Sequence, residues 1–82
     1  MPYIDDETRA MLDLTPARPV TPGELNYKLT REVLDYLARL GHSYTRFNEV
    51  IGALECAKLE LYRRLLAPYE DKKKAENGDV YP

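Results

Sequence analysis

The longest run of helical periodicity, residues 43–66, constrains the fold more than any other stretch of the chain. Large apolar residues recur along it at spacings of three and four, which predicts a helix with one apolar side. Roughly 24 residues at about 1.5 Å each form a rod of about 36 Å. Either the flanking segments or a second chain must therefore cover the apolar side. Its residues are Phe47, Val50, Ile51, Leu54, Leu61 and Leu65, with Ala53 and Ala57 beside them.

A capping box predicts a second helix before this one. The Thr21 hydroxyl can accept from the backbone N–H of Glu24 while the Glu24 side chain reaches back, and a proline occupies the first helical position. Gly41 permits the backbone conformation that commonly follows a helix end. Because the turn after it is short, the two helices, at about 22–40 and 44–67, are predicted to form an antiparallel hairpin. The apolar side of the first comprises Leu25, Leu29, Val33, Tyr36, Leu37 and Leu40.

Shorter elements precede the predicted hairpin. Asp5 or Asp6 can cap an N-terminal helix that runs to about Leu14. Prolines then hold residues 15–23 extended as a connector. Ser43 is predicted to cap the long helix.

The C-terminal end contains a helix breaker. Pro68 cannot donate to the carbonyl of Arg64, so the long helix should kink or stop near Ala67. Residues 69–76 have helix-forming composition and predict a C-terminal helical turn or two, which Asn77 and Gly78 should end before a short tail.

The length of the chain limits its core. A domain of 9.5 kDa buries only about 60% of the surface that its unfolded chain exposes, so self-association is expected. The predicted organisation is one all-α domain over 1–82. Residues 1–23 form the N-terminal helix and connector, and residues 24–82 form the hairpin core with its tail.

Charge and cysteine content exclude several classes of protein. The net charge of -2 with 32% charged residues gives no field that gathers polyanions, so duplex DNA is not an expected partner. Cys56 is the only cysteine, which forbids an internal disulfide and indicates a reducing compartment. The acidic N-terminus is unlike a signal peptide, and the apolar runs are too short to cross a bilayer. We expect a cytoplasmic protein without membrane contact.

Most catalytic and metal-binding patterns are missing from the sequence. A zinc site needs about four ligands, whereas the chain has one cysteine and one histidine. Cys56 and His42 would lie roughly 20 Å apart along one helix, too far for a catalytic dyad. The glycines are scattered, so there is no phosphate-binding loop. We expect no catalytic residue, metal or cofactor; a site shared between subunits of a small oligomeric enzyme is the alternative.

Tyrosine usage is unusual, with seven Tyr against one Phe and no Trp. Such rings provide large contact area at low entropic cost, which favours an assembly or a ligand-lined cleft. The alternative is that they border a small core with their hydroxyls in water. The predicted interface comprises Tyr27, Tyr36, Tyr44, Phe47, Ile51, Leu54, Val80 and Tyr81.

A basic group with tyrosines lies near the end of the long helix. Guanidinium groups beside aromatic rings suit a ligand that carries both a phosphate and a base. Alternatively, Arg63 and Arg64 only complement the negative end of the helix dipole. The predicted ligand-binding residues are Lys58, Tyr62, Arg63, Arg64, Tyr69 and Lys72.

One string of residues carries a family resemblance. It comprises 25–27, 48–52, Leu54, Glu55, 58–64, 68–72 and 76–81. The string resembles a family of small uncharacterised proteins found in tailed phages and bacterial genomes. The resemblance covers about 25–81 and implies a compact helical domain and a phage origin, without an assigned activity.

Three functions are compatible with these observations. The first is a homo-oligomeric, non-enzymatic module that binds a small anionic, nucleotide-like ligand and, in a phage, sequesters a defence signal in the host cytoplasm. The second is a module that binds a host or virion protein. The third is a helix-turn-helix-like DNA binder, although a pI of about 5.3 disfavours attraction to phosphates.

Overall fold

The fold is all-α, as the sequence predicts. The computed structural model describes residues 2–15 and 18–82, and none of them forms a β-strand. The helices are α1 (Asp6–Leu14), α2 (Pro22–Leu40), α3 (Tyr44–Leu61) and α4 (Ala67–Asn77), with a π-helical turn at Tyr62–Leu66. The predicted extended connector is irregular over residues 18–20, and Pro16, which belongs to it, lies outside the described residues.

Capping side chains fix where the helices begin. The Asp5 carboxylate accepts from the backbone N–H of Thr8 at 2.7 Å and begins α1. At α2, the Thr21 hydroxyl accepts from the N–H of Glu24 at 3.1 Å. The Glu24 carboxylate reaches back to the N–H of Val20 at 3.4 Å and to the Thr21 hydroxyl at 3.1 Å. The predicted capping box is therefore present, with the return bond one residue earlier than usual.

Glycines fix where two of the helices end. Gly41 follows α2 with φ 105° and Gly78 follows α4 with φ 91°. Their N–H groups donate to the carbonyls of Leu37 and Lys74, both at 2.8 Å. A residue with a side chain would be strained at either backbone conformation. Both ends lie where the sequence predicts them, whereas the packing of a hairpin stays a prediction.

The chain divides into two compact units, Met1–Arg46 and Phe47–Pro82. In the first unit α1 packs against α2. Leu12 of α1 is 1% exposed, and Tyr27 of α2 is 8% exposed. A helix of 9 residues is too short to be stable by itself, so this packing holds α1 in place.

The side of α2 that faces α1 is not the predicted apolar side. Tyr27 is two residues from Leu25 and two from Leu29, so it lies about 160° around the helix from each of them. Both leucines are exposed, whereas Leu37 of the predicted side is buried. The Tyr27 hydroxyl forms a hydrogen bond with Asp13 of α1, a contact that periodicity alone does not reveal.

The second unit contains one uninterrupted helical path, which runs from Phe47 in α3 through the π turn to α4. Of the kink or stop predicted near Ala67, the stop is absent, and α4 is 11 residues long, where the sequence predicts a helical turn or two. The N–H of Ala67 donates to the carbonyl of Tyr62, five residues earlier. Pro68 has no N–H and its ring would crowd the carbonyl four residues before it. The wider turn accommodates the proline, so the helix continues.

Replacing Thr21 with alanine should destabilise the protein by about 1 kcal/mol, because the first turn of α2 loses its cap. Thr21→Ser retains the hydroxyl and should unfold like the wild type. Urea denaturation, monitored by circular dichroism, measures the difference in the free energy of unfolding between the variants and the wild type. Equal midpoints for Thr21→Ala and the wild type would show that the cap does not stabilise the fold.

Candidate functional site

The basic residues of the predicted ligand site are partly neutralised by nearby carboxylates. Lys58 Nζ lies 3.2 Å from Glu55 Oε1. Nη2 of Arg63 donates to both oxygens of Glu60, at 3.1 and 2.9 Å. Nη1 of Arg64 donates to the same carboxylate at 3.4 Å. Two guanidinium groups thus share one carboxylate, which leaves a surplus positive charge at this point.

The aromatic residues of the site are exposed. Tyr62 and Tyr69 each expose about half of their surface. Lys73 Nζ lies 5.6 Å from the centroid of the Tyr69 ring, within the range of a cation–π contact. Lys73 also pairs with Glu76 at 3.3 Å. The predicted set includes Lys72, which is exposed, and omits Lys73, whose position four residues after Tyr69 indicates the contact.

A recess of about 340 Å³ lies at the end of α4, and its lining includes none of the six predicted ligand residues. In the tail that lines one side of the recess, the Asp79 carboxylate accepts a hydrogen bond from the N–H of Tyr81 at 3.0 Å, as in an Asx turn. Val80 and Tyr81 are 90% and 80% exposed. The lining residues are Glu70, Asp71, Lys73, Lys74, Asn77, Gly78, Asp79, Val80 and Tyr81.

The predicted interface residues fall into two groups. Tyr27 is buried in the first unit, so it cannot supply the surface contact predicted for it, and Tyr36 is half-buried. The remaining six are exposed: Tyr44, Phe47, Ile51, Leu54, Val80 and Tyr81.

Polar contacts explain why Tyr27 faces α1. Its hydroxyl donates to Asp13 Oδ2 at 2.5 Å. Arg31 Nε lies 3.6 Å from the other oxygen of the same carboxylate. Lys28 Nζ donates at 3.2 Å to the carbonyl of Leu12, one of the groups that a helix end leaves without an internal partner. The bond to Asp13 raises the pKa of Tyr27, because it stabilises the protonated phenol.

The described residues show neither a metal cluster nor a membrane helix. Residues 2–15 and 18–82 contain no group of three or more His, Cys, Asp or Glu side chains arranged to hold a metal ion. Within the same ranges, no helix combines the length and apolar character needed to cross a membrane.

A family model for a domain of unknown function, DUF6899, matches residues 1–80. The chain belongs to the DUF6899 family. The DUF6899 match includes the N-terminal third, which the sequence resemblance over 25–81 leaves out. Searches of curated proteins and of solved structures each find no match to the chain.

Replacing Tyr27 with phenylalanine should remove the part of the loss of stability at alkaline pH that comes from ionisation of Tyr27. Since the folded-state pKa of Tyr27 lies above the ordinary value of 10.0, its contribution is present below pH 10 and is lost as pH rises through the raised pKa. Wild-type stability should therefore fall more steeply above pH 10 than that of Tyr27→Phe.

The measurement is urea denaturation at a series of pH values between about 8 and 12. Tyr3→Phe is the matched control, because Tyr3 is exposed, and it should follow the wild type. Parallel curves for all three proteins would contradict the role given to the Tyr27–Asp13 bond.

Proposed function

We propose that this DUF6899 protein is a non-enzymatic, homo-oligomeric helical binding module in which α3 forms contacts between copies. One observation carries the proposal. Within Phe47–Pro82, every residue of which the structure describes, no side chain is buried. The second unit therefore has no core of its own.

The exposed residues of α3 explain why association is favourable. Ile51 is 66% exposed and Leu54 is 41% exposed, and similar residues follow along the helix. Covering apolar surface contributes about 25 cal/mol per Å². In proteins, most of the stability of a helix comes from the packing of its apolar face rather than from helix propensity. Contacts between copies would supply the burial that the second unit lacks.

A small anionic, nucleotide-like ligand is the second part of the proposal. The surplus charge where Arg63 and Arg64 share Glu60 favours it, since guanidinium groups bind phosphate through paired hydrogen bonds. Tyr62 offers an exposed ring on which a base could stack. With a phage source, the ligand would be a nucleotide signal of the host, sequestered in the host cytoplasm.

Binding to a host or virion protein is the second candidate function. The exposure of Val80 and Tyr81 beside the recess favours it. Capture of one stoichiometric partner, together with no binding of nucleotides, would select this function over ligand sequestration.

Light scattering should give the wild type a mass that is a multiple of 9.5 kDa. Ile51→Asp should lower this mass, because it places a charge on the apolar side of α3. Cys56→Asp is the matched control, since Cys56 is exposed and lies about 140° around the helix from Ile51. A folded wild-type protein of 9.5 kDa at every concentration would remove the oligomer.

Isothermal titration calorimetry with linear and cyclic nucleotides tests the ligand. Replacing both Arg63 and Arg64 with alanine should weaken binding at least tenfold, because the phosphate loses its charged donors. Arg39→Ala is the control, since this exposed arginine pairs with Asp35 on α2. Absence of heat with folded wild-type protein would remove the ligand and leave the oligomer in place.

A further inference from the structure

We infer that the π turn extends the interface between copies from α3 into α4, with a second copy of this chain covering Leu66 and Tyr69. The inference rests on the proposed homo-oligomer and specifies which surface forms it. It also moves Tyr69 from the predicted ligand site to the interface.

The π turn changes which residues share a side of the helix. At about 100° per residue, Leu66 would lie about 140° around an α-helix from Leu61. The π turn contains one more residue per turn. Two residues that are five apart across it are therefore separated by the same angle around the axis as two residues that are four apart in an α-helix. Leu66 then lies within about 40° of Leu61, and Tyr69 within about 20°.

This shift keeps the exposed side apolar beyond α3. In an unbroken α-helix, the positions after Leu61 and Leu65 on this side would be Pro68 and Lys72. With the π turn, they are instead Leu66 and Tyr69. We call the resulting surface the α3–α4 ridge; it comprises Phe47, Ile51, Leu54, Leu61, Leu65, Leu66 and Tyr69.

The area of the ridge matches what a dimer needs. Its side chains are between 41% and 67% exposed, so at roughly 100 Å² each they offer on the order of 700 Å² of apolar surface. A stable interface buries about 800 Å² per partner, of which little more than half is apolar. The ridge is also larger than the usual apolar patch of a monomer, about 300–600 Å².

The charges beside the ridge favour a second copy as its partner. Both signs occur along the helix, as Glu55 with Lys58, Glu60 with Arg63, and Lys73 with Glu76. With a net charge of only -2, two copies meet without strong repulsion. A highly charged partner would instead match a surface of one sign, which these pairs do not form.

The first test removes the two side chains that the π turn adds to the ridge. Leu66→Ala with Tyr69→Ala should raise the dissociation constant about 100-fold, because a symmetric interface loses both copies of each side chain. Leu14→Ala with Tyr3→Ala is the matched control, since both residues are highly exposed in the first unit. Sedimentation equilibrium over a range of concentrations measures the constants.

The second test rotates the surface and keeps every apolar side chain. Deleting Arg63 leaves Pro68 in place, so the wide turn forms again with one residue fewer before α4, which rotates α4 by about 100° relative to α3. The deletion should raise the dissociation constant at least tenfold, whereas Arg63→Ala, the control that keeps the register, should not. Circular dichroism checks that the deletion variant remains helical.

The outcomes separate the inference from the proposed function. A folded wild-type protein that is monomeric overturns both the inference about the ridge and the proposed homo-oligomer. An oligomeric wild type whose double alanine variant associates as tightly as the matched control overturns the inference and leaves the oligomer. If the deletion variant is not helical, the double alanine variant decides the question.

Discussion

Burial of apolar side chains is distributed unevenly along this chain, and the rest of the structure depends on that imbalance. In the first unit, Leu12 and Tyr27 bring α1 and α2 together and are almost completely buried. In the second unit, Phe47–Pro82, no residue is buried. Since burial is the dominant favourable term in folding, the proposed contacts between copies would supply the apolar burial that this unit lacks.

The polar contacts of the second unit cannot replace this burial. Glu55 with Lys58 and Glu60 with Arg63 are exposed pairs within one helix, and such pairs contribute only a few tenths of a kcal/mol each. Gly78 defines where the helix ends without packing it against another element. Folding of the second unit and association of copies are therefore coupled in the proposed account.

Local interactions are what the sequence predicts best in this protein. The cap at Thr21 and the ends at Gly41 and Gly78 depend on residues within four positions of each other, so their patterns can be recognised directly. The π turn could not be predicted, because Pro68 is compatible with a stop, a kink or a wide turn. The burial of Tyr27 depends on Asp13, 14 residues away, which helical periodicity does not report. At the proposed ligand site, Arg63 and Arg64 follow Glu60 by three and four residues, so the sequence already indicates that they can share its carboxylate, whereas the exposure of Tyr62 and Tyr69 required the structure.

Hydrogen exchange at several protein concentrations tests the central claim most directly. If other copies cover the α3–α4 ridge, amide protection over residues 47–69 should rise with concentration, while protection in α1 and α2 should change much less. Dilution should expose the second unit first, because it has no buried core. Protection over 47–69 that is strong and independent of concentration would contradict the account, since the helix would then be stable without another copy.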